Sequence, residues 1–195
     1  MHRYFIIHKP YGMLSQFSKD GNNATLSDLF NFPKDVYPVG RLDSDSEGLL
    51  ILTNDKNLNY KLLQPKFKHR RTYWVQVDGA INNEALEKLQ KGVIIKINGK
   101  DYKTLPSEVR ILENPINIDE RNPPIRFRKN IPTSWIELTL TEGKNRQVRK
   151  MTAAVGFPTL RLIRVKIKQL ELFPMRSGEV KEISRNEIYR LLGLL

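Results

Sequence analysis

The chain contains no cysteine. Disulfides, thiolate nucleophiles and cysteine-ligated zinc are therefore excluded. Histidine is scarce: His2, His8 and His69 are the full set, and their spacing is not that of a metal site. The N-terminal stretch MHRYFIIHKPYG has too short an apolar run for a signal peptide or a membrane span. The long polar tracts typical of disorder are absent, as are internal repeats. No glycine-rich nucleotide-binding loop occurs. These absences lead us to expect a cytoplasmic protein that needs neither metal nor cofactor, with a monomer as the default state.

What is present points to a polyanion. The 195 residues are 39% hydrophobic and 28% charged, which suits one sizeable domain or two small ones sharing a core. Lys and Arg number 33 against 21 Asp and Glu, a net charge of +12 with a pI near 9.9. A generically basic soluble protein would have such a balance, and so would a nucleic-acid binder. The distribution favours the second. Residues 119–168 hold twelve basic and four acidic residues, whereas 169–195 hold four of each. A phosphate-binding face needs that kind of concentration.

Local patterns set the fold class. RYFIIH (3–8) reads as a strand stopped by the Lys9-Pro10-Tyr11-Gly12 turn. LLILT (49–53) is a continuous apolar run, as in a strand buried on both faces. Thr53 or Asn54 is expected to cap a helix ending before Pro65. Tyr73, Val75 and Val77 alternate onto one strand face. Asn83 is expected to cap a helix ended by Gly92. Residues 93–105 read as a hairpin turning at Asn98-Gly99. Strands are expected at 108–112 and 134–140 and a helix over 145–155. Ser184 and Glu187 form a capping box for a final helix. Strands outnumber helices and many turns are short. The expected class is α+β, with a mixed and mainly antiparallel sheet.

Residues 40–55, GRLDSDSEGLLILTND, place the Asp43 carboxylate in a polar loop just ahead of the buried strand. A loop carboxylate held between fixed elements is a common catalytic arrangement, though a hydrophilic turn with capping groups would look similar. Asp43, Asp45, Glu47 and Gly48 also imitate the start of a calcium loop. The twelfth position is Asn54, which cannot chelate as a carboxylate, and two prolines break the entering helix.

GRLDxxxxGLLxLTND resembles the signature of the RsuA-type family of pseudouridine synthases. Arg71-Thr72-Tyr73-Trp74-Val75 resembles its basic-x-Tyr-x-Val block. Glu142-Gly143-Lys144-Asn145-Arg146-Gln147-Val148-Arg149-Lys150-Met151 resembles its EG(K/R)xxQVR(R/K)M block. The opening HKPYGMLSQ and the Leu162-Ile163-Arg164 segment also fit. Segments 121–126 and 131–135 resemble an insert of members that act on 23S ribosomal RNA. The resemblance implies one pseudouridine synthase domain without an S4 domain. Its sheet would run through two subdomains, roughly 1–66 and 67–195, around a central RNA-binding cleft.

The resemblance also implies roles. Asp43 would be the essential carboxylate, as nucleophile at the sugar or as base on a sugar proton. A cation would keep it ionised. Lys144 is placed first for that task and Arg146 second, Arg146 being equally a phosphate contact. The target base must leave its stack, and Tyr73 would stack on it, recovering about 1–3 kcal/mol; alternation alone makes Tyr73 a core residue. Arg41 would contact the flipped nucleotide's phosphate or wedge into the vacated stack. Leu162 would line the uracil pocket or belong to the core. Arg146, Arg149 and Lys150 would turn a basic helix face to RNA phosphates. Arg164, Arg126 and Arg128 complete the RNA-contacting set, the last two in a Pro-bounded loop that would select the substrate. Alternatives to a 23S enzyme are a non-catalytic RNA-binding module of the same fold, or a synthase acting on small-subunit rRNA or tRNA.

Overall fold

The structure is a computed structural model that describes residues 1–113, 115, 118–125 and 131–195. It has α+β architecture, divided into two compact units. One comprises Met1–Lys68 with Ile163–Leu195, the other His69–Leu162.

In the first unit, β1 (Tyr4–Lys9) lies between β11 (Val180–Glu182) and β3 (Glu47–Thr53), antiparallel to both. β9 (Thr159–Ile167) joins β3 in parallel through Glu47 opposite Ile163 and Gly48 opposite Arg164. Two-residue strands β2 (Tyr37–Pro38) and β10 (Leu170–Glu171) pair with β3 and β9. Every residue of β1 and β3 is buried, as the apolar runs 4–7 and 49–52 within them require. Phe5, Ile7, Leu26, Phe32, Leu42, Leu50 and Leu52 share one core. α1 (Leu26–Leu29) and α2 (Lys56–Leu63) contribute to this unit, followed by a 3-10 turn, Pro65–Phe67. α5 (Arg185–Leu191) closes the chain. The cap of α2 is Asp55, one residue beyond the expected Thr53 or Asn54, because its carboxylate accepts from the amides of Asn57 and Leu58. The same carboxylate accepts from the hydroxyls of Tyr4 (2.8 Å) and Tyr189 (2.6 Å). Burial pushes this carboxyl's pKa up, but the Tyr189 and Tyr4 hydroxyls and the two amides outweigh it and hold the pKa below the ordinary value.

The second unit is built on β4 (Arg71–Asp78), paired along its whole length with antiparallel β8 (Thr133–Leu140). β7 (Glu108–Ile111) flanks β8, and the order is β9-β4-β8-β7. α3 (Asn83–Lys91) packs Ala85, Leu86 and Leu89 inward. Its N-cap is Asn82 rather than Asn83, through a bond from the Ala85 amide. The hairpin β5 (Ile94–Ile97) and β6 (Lys100–Lys103) turns at Asn98-Gly99, both with positive φ, as a tight hairpin needs. α4 (Gln147–Ala154) adds Val148 and Met151 to a core with Val75, Val77, Ile136 and Leu138.

The expected mixed, mainly antiparallel sheet is present. The chain divides at Lys68 and again inside β9. The segment from Ile163 belongs to the first unit because β9 reaches β3 and β11 reaches β1. Among the described residues no helix is long and apolar enough to cross a membrane.

Candidate active site

Asp43 lies half-buried in the loop between β2 and β3, with Arg41 exposed beside it. The opening segment of the chain fixes this loop's backbone. The Ser15 hydroxyl, itself buried, donates to the Leu42 carbonyl at 2.8 Å and accepts from the Leu42 amide at 3.1 Å. The Gly12 amide donates to the Ser44 carbonyl at 2.7 Å. Asp43 is thus gripped through both neighbours. Its own carbonyl accepts from the Ser46 amide, which closes the turn.

Lys9 lies under this arrangement with none of its surface exposed. Its Nζ donates to the carbonyls of Met13 (2.7 Å), Pro10 (2.8 Å) and, at the limit, Ser44 (3.5 Å). Burial lowers its pKa to about 8, while the carboxylates of Glu47, Asp45 and Asp43 oppose the shift. At neutral pH the side chain remains largely a cation, within the field of Asp43. The sequence places Lys9 in the turn after the first strand and HKPYGMLSQ among the family-like blocks, and nominates neither Lys9 nor Ser15 for the site; Lys9 instead ends β1. A lysine ending an otherwise apolar strand was the available signal.

Gly48 allows β3 to begin where it does. Its φ is +105°, and a β-carbon there would lie 2.3 Å from the Arg164 carbonyl oxygen. Arg164 is buried and its Nε donates to the Leu49 carbonyl at 2.8 Å. Its charge is therefore committed at least in part to holding β3 against β9.

The second unit carries Tyr73, Lys144, Arg146, Arg149, Lys150 and Leu162. Tyr73 stands on β4 opposite Leu138, half-buried, whereas Val75 and Val77 on the same face are wholly buried. The block from Glu142 folds into a tight turn. Glu142 accepts from the Tyr102 hydroxyl (2.5 Å), the Leu105 amide (2.8 Å) and Gln147 Nε2 (2.7 Å). Gln147, buried, also accepts from the Lys144 amide at 2.9 Å. Lys144 Nζ then lies 4.9 Å from the centre of the Tyr102 ring. Arg146, the N-cap of α4, is exposed and left-handed, with φ 52° and ψ 33°. α4 therefore starts at Gln147 rather than at Asn145. Arg149 and Lys150 are half-buried on α4, and Arg149 reaches the Thr159 carbonyl at 3.4 Å. Leu162 is buried in the core of the second unit. Arg126 and Arg128 fall outside the described residues.

Comparison with known proteins gives one consistent picture. The sequence profile of the RNA pseudouridylate synthase family matches residues 3–154. The Vibrio parahaemolyticus ribosomal large subunit pseudouridine synthase E is 53% identical over 93% of this chain and 74% of its own. The Xanthomonas axonopodis protein of the same name is 51% identical over 83% and 84%. The Bacillus subtilis ribosomal large subunit pseudouridine synthase B is 35% identical over 98% and 72%. A crystal structure of a pseudouridylate synthase superposes with a TM-score of 0.79 at 25% identity, covering 98% of this chain and 74% of the other.

Proposed function

This chain belongs to the RNA pseudouridylate synthase family, and from that premise we propose that it isomerises a uridine of 23S ribosomal RNA to pseudouridine with Asp43 as the catalytic carboxylate. The large-subunit substrate rests on four relatives named for it at 47–53% identity. The reaction breaks the N1–C1′ bond, turns the uracil and forms a C5–C1′ bond, with the C5 proton lost and N1 protonated. A single carboxylate suffices, acting at the sugar as nucleophile or base.

The observation that carries this reading is the grip on Asp43. Hydrogen bonds fix the backbone on both sides of it, as a catalytic group needs. Lys9 beneath the loop supplies a buried cation within the field of the Asp43 carboxylate. Tyr73 offers a half-exposed ring for stacking on the extruded base. A second cation comes from the 144–146 turn. Lys144 is engaged over Tyr102, whereas Arg146 is held in a left-handed conformation that costs about 1–2 kcal/mol for a residue with a β-carbon. Strain of that kind collects at functional positions. The local strain supports the proposal of Arg146 as the cation that serves the reacting carboxylate, with Lys144 steadying the turn. Arg41, Arg149 and Lys150 contact RNA phosphates in this reading, while the burial of Leu162 and Arg164 supports packing roles. The enzyme works in the cytoplasm as a monomer, without metal or cofactor.

The test is Asp43→Asn. The purified variant should bind rRNA with unchanged affinity and form no pseudouridine, read by carbodiimide labelling and primer extension. A variant that still converts the target removes Asp43 from the mechanism. Mapping 23S rRNA from a deletion strain should reveal one missing site, and a complete map would remove the substrate assignment.

A further inference from the structure

The segment 56–68 contains four lysines and no acidic residue. α2 buries Leu58 and Leu62 and turns Lys56, Tyr60 and Leu63 outward, at helical spacing i, i+4, i+7. The 3-10 turn after it exposes Lys66 and Phe67 beside them. Tyr60 is 51% exposed, Leu63 48% and Phe67 44%. Three large apolar side chains exposed so close together are more than the scattered single residues of an ordinary surface. Lys66 sits among them. Its Nζ is 5.0 Å from the Phe67 ring centre, 5.7 Å from that of Tyr60 and 3.5 Å from the Tyr60 hydroxyl.

Several lysines of the second unit are placed differently. In the second unit Lys88, Lys91 and Lys96 pair with Glu84, Glu87 and Asp101. The 56–68 face is also continuous with the Asp43 loop. Leu63 Cδ2 lies 3.2 Å from where a β-carbon on Gly40 would stand, three residues ahead of Asp43.

We propose that this face, with Lys66 between Tyr60 and Phe67, is a second RNA-docking surface, which takes an unpaired strand running on from the target uridine. Lys66 receives a phosphate, and the two rings receive bases on either side of it. Rings suit bases of any identity because each has a stacking face, and lysines track the backbone charge. An acidic protein surface would use the lysines but has no matching use for two aromatic planes. This inference rests on the assignment of an RNA substrate made above.

The experiment measures binding by the full chain to two oligoribonucleotides, one ending at the target uridine and one extending past it unpaired. All variants are also made on the Asp43→Asn chain, so that binding is read whether or not any RNA is isomerised. Tyr60→Ser with Phe67→Ser should weaken the extended RNA by at least about tenfold, since each stacked base contributes roughly fivefold or more. It should leave the short RNA and the conversion rate at saturating RNA unchanged. Lys66→Gln should flatten the salt dependence for the extended RNA by about 0.7 in log–log slope. Unchanged affinity for the extended RNA, in a double variant that unfolds like the parent, overturns the proposal. So does equal weakening of both RNAs. Displacement of the extended RNA by polyglutamate, with the same dependence on Lys66 and the rings, would assign the face to an acidic protein instead. Failure of the isomerase assignment shows separately, as absence of product from every RNA with these binding differences intact.

Discussion

The two units hold their proposed functional side chains in opposite ways. In the first, Asp43 lies half-buried in a loop whose backbone is anchored by buried polar side chains. Ser15 and Lys9 are buried, and each spends its donors on backbone carbonyls around the aspartate loop. In the second, Lys144 and Arg146 stand on an exposed turn, steadied by Glu142, Gln147 and an aromatic ring. A carboxylate that must meet one sugar carbon gains from a backbone that cannot drift. A cation that acts through its field tolerates a looser mount. The lesson is that rigidity is placed where geometry decides the chemistry.

Substitutions can break this contrast, the strongest first. Gly48→Ala places a β-carbon against the Arg164 backbone in a conformation that already disfavours side chains. It should destabilise the protein by upwards of about 4 kcal/mol. Gly143→Ala has open space around it and should stay within about 0.5 kcal/mol of the parent. Urea unfolding of both decides whether the two glycines differ as described.

Lys9→Met leaves the Met13 and Pro10 carbonyls without their donor, at a cost of about 2–3 kcal/mol near neutrality. The pH dependence has a definite sign. A lysine whose folded pKa is about 8, below its ordinary 10.5, binds fewer protons folded than unfolded between those values. Wild type should therefore gain stability relative to Lys9→Met as pH rises from about 8 towards 10.5, by up to about 1.4 kcal/mol per pH unit. Parallel pH profiles for the two proteins would mean that Lys9 is not buried as a cation.

Ser15→Ala strips a buried loop of one donor and one acceptor. A loss of about 1–3 kcal/mol is expected, with kcat reduced and RNA affinity retained. An unchanged kcat would show that the grip on Leu42 does not set the position of Asp43. A smaller effect, of opposite sign, belongs to the looser unit. Arg146→Gly should stabilise by about 1 kcal/mol, because glycine adopts the left-handed conformation freely, and should lose activity. Lys144→Gln should retain most activity. The reverse ranking of Arg146 and Lys144 in turnover assays would restore Lys144 as the catalytic cation.

The sequence made the aspartate block, the tyrosine strand and the basic turn legible, because each is a contiguous run whose residue types match its chemistry. Long-range partners were not legible. Ser15 meets Leu42 across 27 residues, and nothing local marks that contact. β9 was missed as a strand because Arg161 and Arg164 interrupt its apolar pattern, although both are buried. The left-handed Arg146 gave no sign, since neither glycine nor asparagine occupies that position. Asp55 lost the cap to Thr53 and Asn54 on paper because the hydroxyls of Tyr4 and Tyr189, distant in sequence, help decide which carboxylate can be buried.

β9 passes from one unit to the other between Leu162 and Ile163, so the second unit is a continuous insertion within the first. That ordering has a consequence for biosynthesis. Residues 69–162 can collapse while later residues are still being translated, but the strand partners Ile163–Ile167 and Val180–Glu182 and the Tyr189 hydroxyl emerge only after that unit. A nascent chain stalled before them carries the aspartate loop without its finished support, so in the proposed mechanism catalytic competence awaits the strands that follow the inserted unit.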